Sequence, residues 1–284
     1  MIAITGANGQ LGQKVITSLL HTIAPQDVVA LVRSPEKASA LRELGVQIRQ
    51  ADYNQPETLA AALKGVDKVL LISGNEFGKR FEQHKAVIDA AISAGVSLLA
   101  YTSLLKASTS PLLLAAEHKQ TEAYIQESGI PAVVLRNGWY SENYTDAVQG
   151  VIDMGAVAGA AKTGKLHTAS RQDYADAAAA VLVAKESQAG KVYELAGDQG
   201  FTLAEYADAV GKLSGKAIGY IEMEPNLFQS ALLDAGLPEG LAAMLADTEH
   251  YAAKGWLQDD SHTLSTLIGR TTTPISETLE ATMA

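Results

Sequence analysis

Three glycines spaced three apart, Gly6, Gly9 and Gly12, lie in the run TGANGQLG (residues 5–12), directly after the apolar residues 1–4. Glycines at a strand-to-helix turn let the backbone curl tightly and aim its N–H groups, with the positive end of the following helix, at a pyrophosphate. The spacing predicts a dinucleotide loop in which Gly6, Ala7, Asn8, Gly9, Gln10 and Leu11 hold the diphosphate and Gly12 lets the helix approach the sheet. About twenty residues past such a loop an acid usually meets the ribose hydroxyls. Here the second strand ends in Val32-Arg33-Ser34, with no acid before Glu36. An arginine at that position neutralises a 2′-phosphate, so the predicted cofactor is NADPH rather than NADH. Asp52 and Tyr53 suit a contact with the adenine, or Asp52 simply opens a turn into Asn54 and Pro56. Ser73, Gly74 and Asn75 are small residues at a fourth strand end, where the ribose and diphosphate can pass close to the backbone.

The elements that must position these residues are read from alternating patterns. Apolar runs at 1–5, 28–32, 46–51, 67–73, 96–103 and 130–137 alternate with helical patterns at 10–21, 35–45, 56–65, 80–95 and 115–129. Four of those helices stop on a glycine, at Gly45, Gly65, Gly95 and Gly129, as left-handed C-terminal positions do. Repeated strand–helix units with nearly continuous apolar strands predict an α/β fold, a Rossmann-type doubly wound parallel sheet buried on both faces. Residues 1–137 form the dinucleotide-binding domain, extended by a helix and a strand at 171–197 that return to the sheet. Residues 138–170 and 198–284 form a smaller, mostly helical C-terminal lobe on the substrate side, with one strand expected at 217–223.

With those residues in view, the chain resembles the short-chain dehydrogenase/reductase superfamily, and specifically its extended, NmrA-like atypical branch. Catalytic members carry a Tyr-x-x-x-Lys pair on the helix after the fifth strand. Aligning Glu122 with the acid that follows the family lysine puts His118 at the lysine position and Leu114 at the tyrosine position, so the usual acid is missing. A simple ketone needs that acid, because an unactivated alkoxide would otherwise form. A quinone needs far less help, since its product phenolate is aromatic and delocalised. In the superfamily the loop after the sixth strand lies along the nicotinamide. Here it reads LRNGWYSENY (135–144), which the resemblance makes the nicotinamide wall: Asn137, Gly138, Trp139, Tyr140, Ser141, Glu142 and Asn143. Trp139, Tyr140 and Tyr144 can stack on a flat substrate, and Asn143, Tyr140 and His118 are the candidate catalytic residues. Ser103 at the fifth strand end is either a substrate contact or a strand-terminating hydroxyl.

Whole segments at 1–12, 50–59, 70–73, 100–105, 135–144, 190–198 and 267–270 look like the bacterial NADPH:quinone oxidoreductases of the NmrA-like type, and more distantly like triphenylmethane reductase. Asn8 stands where that group commonly has threonine, and the loop glycines are intact. The resemblance implies direct hydride transfer from NADPH to a quinone, without flavin or covalent intermediate. Dye reduction is an alternative. So is a non-enzymatic redox sensor, since the regulator for which the NmrA group is named binds nicotinamide dinucleotides.

Composition sets the outer limits. The 284 residues are 47% hydrophobic and 19% charged, an ordinary globular balance. A formal charge of −10 and a pI near 5.1 argue against nucleic acid as a partner. No apolar stretch is long enough to span a membrane, and residue 1 runs straight into a strand-like segment, so the expected compartment is the cytoplasm. The chain has no cysteine, which excludes thiolate chemistry and cysteine-bound metals. Its six histidines show no metal-binding spacing, so no metal is expected, and there is no G-x-S-x-G elbow. The chain is expected to be a monomer or a homodimer.

Overall fold

The structure, a computed structural model, describes residues 1–284. Strands and helices alternate as β1 (Ile2–Ile4), α1 (Gln10–Leu19), β2 (Val28–Val32), α2 (Ser39–Glu43), β3 (Gln47–Gln50), α3 (Pro56–Ala62), β4 (Lys68–Leu71), α4 (Arg80–Ser93), β5 (Leu98–Leu104), α5 (Ala115–Ser128) and β6 (Ala132–Asn137). There follow α6 (Glu142–Thr145), α7 (Val148–Met154), β7 (Ala156–Gly159), α8 (Arg171–Val183), β8 (Val192–Leu195), α9 (Leu203–Ser214), β9 (Gly219–Glu222), α10 (Pro225–Asp234), α11 (Glu239–Ala252), α12 (Thr263–Ile268) and α13 (Ile275–Met283).

Seven strands form one sheet in the order β3-β2-β1-β4-β5-β6-β8, and the neighbours from β3 to β6 pair in parallel. The order reverses between β1 and β4, and at such a switch point the carboxyl ends of the strands leave a crevice for ligands. Every residue of β1, β2 and β5 is buried, as a sheet covered on both faces demands. One face packs Val29, Leu31, Leu71, Leu99 and Tyr101 against Leu59 of α3, Val87 and Ile88 of α4, and Ile125 of α5. Helix α8 lies against α1, where the Ser18 hydroxyl donates to Asp176 at 2.7 Å and Gln172 donates to Ser18 at 3.0 Å.

Three local departures from the expected pattern have physical causes. The helix expected over 35–45 divides into a 3-10 turn at Pro35–Lys37 and the short α2, because Ala38 leaves helical geometry at φ −102°, ψ 33°. Strand β3 is only half-buried, since an edge strand has a neighbour on one side alone. Its Arg49 closes the end of α3 by donating to the Ala62 and Lys64 carbonyls at 2.7 and 2.8 Å. The strand expected at 217–223 is β9, and its parallel partner β7 is a run of four small residues that carries little strand signal.

The chain divides into two compact units: residues 1–107, 117–137 and 171–193, and residues 108–116, 138–170 and 194–284. Residues 108–116 and 194–197, which the pattern groups with the dinucleotide-binding part, thus fall in the second unit. Within that unit the β7–β9 pair is accompanied by a small core of Ala160, Phe228 and Ala246 with Met223 and Leu232. A reciprocal capping box between Thr202 and Glu205 fixes the start of α9.

Candidate active site

The glycine loop has the geometry of an anion cradle. Gly6 sits at φ +57°, a left-handed conformation costing about 1–2 kcal/mol for a residue with a Cβ, and its carbonyl accepts from Gly9 N–H at 2.8 Å. A Cβ on Gly12 would lie 2.5 Å from the Gly6 oxygen and 2.8 Å from the Ala7 Cα, so only glycine lets α1 come this close. Helix α1 begins on Gly9 with no side-chain cap and no acid in its first turn. Its first N–H groups, which have no intrahelical acceptors, and its positive end are therefore left for an anion. A dinucleotide diphosphate fits this cradle. Leu11 is buried while Gly9 and Gln10 are exposed, which divides the loop into an anchor and a contact surface.

Arg33 follows β2 with its side chain 72% exposed and its guanidinium 3.9 Å from Glu76. That loose contact leaves the cation available to a phosphate. Asp52 opens a turn: its carboxylate accepts from Asn54 N–H at 3.0 Å and Gln55 at 3.4 Å. The Tyr53 hydroxyl reaches the sheet end itself, 2.5 Å from Thr5 Oγ1 and 2.9 Å from the Ile72 carbonyl. Burial holds its phenol well above the usual range, so it acts as a neutral brace.

The loop after β4 is pinned from within. Ser73 N–H donates to Thr102 Oγ1 at 2.9 Å, Gly74 N–H donates to His84 Nε2 at 2.9 Å, and Arg80 Nε donates to the Gly74 carbonyl at 2.6 Å. A Cβ at Gly74 would stand 2.8 Å from Gln83 Oε1. The small residue is thus required by α4, and the two inward N–H groups are already used. What this loop can offer outward is the Ser73 hydroxyl and the side chain of Asn75.

On α5 the position expected for a lysine is His118, 4% exposed, with Nδ1 2.7 Å from the Tyr101 hydroxyl. Burial, and then the charge of Arg80, hold its pKa well below the ordinary imidazole value, so the ring is neutral. Leu114 lies in a turn just before the helix. Glu122 binds Arg136 through two hydrogen bonds, from Nε at 3.0 Å and from Nη2 at 2.6 Å, and accepts from Ser103 Oγ at 2.5 Å. Ser103 is thereby part of a brace joining β5, β6 and α5. At the end of β6, Asn137 is buried and its Oδ1 has no hydrogen-bond partner. A buried acceptor without a donor fits a carboxamide N–H.

The second unit carries the rest of the 135–144 segment. Ser141 is fully buried, its hydroxyl 2.8 Å from Thr168 Oγ1 and its N–H on the Ala169 carbonyl at 2.9 Å. These contacts, with Ala169 N–H on the Trp139 carbonyl, flank Tyr140 with its main chain bridged to Ala169. Asn143 is exposed at the start of α6, while Trp139, Tyr140 and Glu142 are half-buried. Tyr144 packs edge-on against Phe201 and Tyr206, at centroid distances of 5.8 and 5.7 Å. Its phenol is raised by burial and by Glu249. Ser141 therefore stiffens the segment.

A family model described as the NmrA-like family matches residues 1–278. The chain belongs to the NmrA-like family. It is 52% identical over 279 residues to quinone oxidoreductase 2 of Escherichia coli K12, covering 98% of this chain and 97% of that one. The crystal structure of an E. coli NADPH-dependent quinone oxidoreductase complexed with NADPH superposes with a TM-score of 0.97, at 51% identity and full coverage of both chains. That of Citrobacter sp. triphenylmethane reductase complexed with NADP(H) gives 0.94, at 36% identity, covering 99% of this chain and 100% of that one.

Within this member of the family, the residues that pattern reading missed are the braces: Thr5, Arg80, His84 and Tyr101. Only one signal was available for them. Arg80 and His84 are four apart and therefore share a helix face, but nothing in the sequence ties that face to Gly74. No group of three or more histidine or carboxylate side chains is placed to share a metal ion, and no helix is long and apolar enough to cross a membrane.

Proposed function

We propose that the chain is an NADPH-dependent oxidoreductase that reduces quinones directly. The bound cofactor supplies a hydride from its nicotinamide C4 to the quinone. Gly6 to Leu11 hold the diphosphate through backbone N–H groups and the end of α1, and Arg33 neutralises the 2′-phosphate. Ser73 and Asn75 meet the ribose region, and Asn137 Oδ1 accepts from the carboxamide. Gly138 to Asn143 would line the nicotinamide side, and Tyr140 and Asn143 are the substrate-side candidates. Precise placement of two flat reactants is itself a large part of such catalysis.

The observation that carries this reading is the neutral, buried His118 at the position where related reductases keep a cationic lysine. A site with no charged acid suits an acceptor whose reduced form is a delocalised phenolate, and suits a simple ketone poorly. The kinship with the E. coli quinone oxidoreductase supports the same substrate class. The cofactor pool it would draw on is that of the cytoplasm.

The experiment follows NADPH absorbance with and without 1,4-benzoquinone. Quinone-dependent loss of NADPH is expected, with little or no turnover of a simple aliphatic ketone. Tight NADPH binding without quinone-dependent consumption would sink the enzymatic reading and leave a redox sensor.

A further inference from the structure

Behind the cofactor loop lies a buried polar chain that leads to His118, and the other members of it have no part in the proposed reaction. The peptide of Gly74 is held at both ends by side chains one turn apart on α4. His84 Nε2 accepts its N–H at 2.9 Å, and Arg80 Nε donates to its carbonyl at 2.6 Å. Both side chains are buried, and Arg80 is anchored in turn, 3.6 Å from Glu117 on α5. The far side of the imidazole also has partners. His84 Nδ1 is 3.0 Å from Thr121 Oγ1 and 3.4 Å from the Tyr101 hydroxyl, which stands 2.7 Å from His118 Nδ1.

Donor and acceptor counting fixes the proton on His84. An Nε2 that accepts a backbone N–H has no hydrogen, so a neutral His84 carries its proton on Nδ1. Thr121 receives it, because the Thr121 hydroxyl gives its own hydrogen to the Glu117 carbonyl at 2.8 Å. The Tyr101 hydroxyl faces an N–H on the His84 side, and its own hydrogen has two acceptors within reach, Thr121 and His118 Nδ1 at 2.7 Å. A Tyr101 hydrogen given to His118 Nδ1 leaves the His118 proton on Nε2. Burial and the Arg80 charge lower the His84 pKa to about 3, which keeps the ring in this form at neutral pH.

We propose that His84 is a positioning residue with two outputs: it holds the Gly74 peptide in the conformation that receives the dinucleotide, and through Tyr101 it sets His118 as an Nε2–H hydrogen-bond donor. This rests on the quinone reductase reading for its second output and only on dinucleotide binding for its first. A neutral donor of fixed tautomer stabilises the oxyanion of a reduced quinone without having to release a proton. The pattern also explains why the tyrosine and lysine of related reductases can be absent together.

Three measurements test it. The nitrogen tautomers of the wild-type histidines, read from long-range ¹H–¹⁵N correlation spectra at pH 7, should show His84 protonated on Nδ1 and His118 on Nε2. The opposite tautomer at His84 overturns the proposal without any variant. His84→Leu should weaken NADPH binding, read by fluorescence titration with no quinone present, about tenfold, the cost of one buried donor left unpaired. His84→Gln, whose side-chain oxygen can replace Nε2, should restore most of it. Unchanged NADPH affinity in a folded His84→Leu, or equal losses in both variants, overturns the first output. Tyr101→Phe should lower kcat for the quinone severalfold while leaving the NADPH dissociation constant within twofold. A fall in both, or in neither, overturns the second output. Failure of wild-type quinone turnover would remove the function reading and still leave the binding and tautomer results to decide on His84.

Discussion

The role proposed for Arg33 is to decide between two cofactors. Its guanidinium has only a long contact with Glu76, and it projects from the end of β2 where an acid would favour the unphosphorylated dinucleotide. A hydrogen-bonded charge pair is worth about 1.5–3 kcal/mol, and at 72% side-chain exposure solvent screening keeps the value at the low end. Arg33→Ala should therefore raise the NADPH dissociation constant about tenfold and leave that for NADH within twofold. Titration of both dinucleotides by fluorescence checks this, and equal losses for the two would remove the phosphate role. The same scale shows what pattern reading could not reach. Arg33 was legible because its neighbours in sequence define a strand end. His84 was not, because its function lies in the Gly74 peptide before its own helix and in Tyr101 on another element.

Among the elements, the brace between β5, α5 and β6 is the clearest case of a motif position whose role is structural. Glu122 and Arg136 are 14% and 12% exposed, and their paired contact also satisfies Ser103. Removing one member leaves a buried charge without its counterion, which typically costs about 3–5 kcal/mol. Glu122→Ala should lose that much in chemical denaturation, and a loss below about 1 kcal/mol would show the pair to be solvated. The order of the elements themselves was largely readable. The glycine stops at Gly45, Gly65, Gly95 and Gly129 have φ between +69° and +78°, and β2 spans the apolar run 28–32 without remainder. Where reading failed, the local signal was weak for a physical reason. Strand β7 is four small residues whose pairing comes from β9, far along the chain, and the break at Ala38 interrupts an otherwise helical pattern.

For the molecule as a whole, the buried titratable groups set how stability varies with pH. In the second unit Glu249 accepts the Ala160 N–H, and burial raises its pKa from 4.5 to about 7. Between those values the folded chain keeps a proton that the unfolded chain has lost, so stability falls as pH rises through that window. A shift of this size corresponds to about 3 kcal/mol. In the first unit His84 acts in the other sense. Its folded pKa near 3 lies below the unfolded value of 6.5, so its contribution is complete above pH 6.5 and is lost as the pH falls toward 3. The Glu249 and His84 slopes oppose each other between pH 4.5 and 6.5, and His118, lowered in the same sense as His84, adds to the second, so the wild-type profile alone isolates no one group. The difference between the wild type and Glu249→Gln isolates one of them, because His84 is common to both chains. The amide that replaces the carboxyl group in this variant keeps an acceptor for Ala160 and cannot ionise, so the variant should gain on the wild type by about 3 kcal/mol between about pH 4.5 and pH 8. Denaturant titrations of both chains at the two pH values measure that gain directly. A difference that stays constant with pH would mean that Glu249 is ionised in the folded chain.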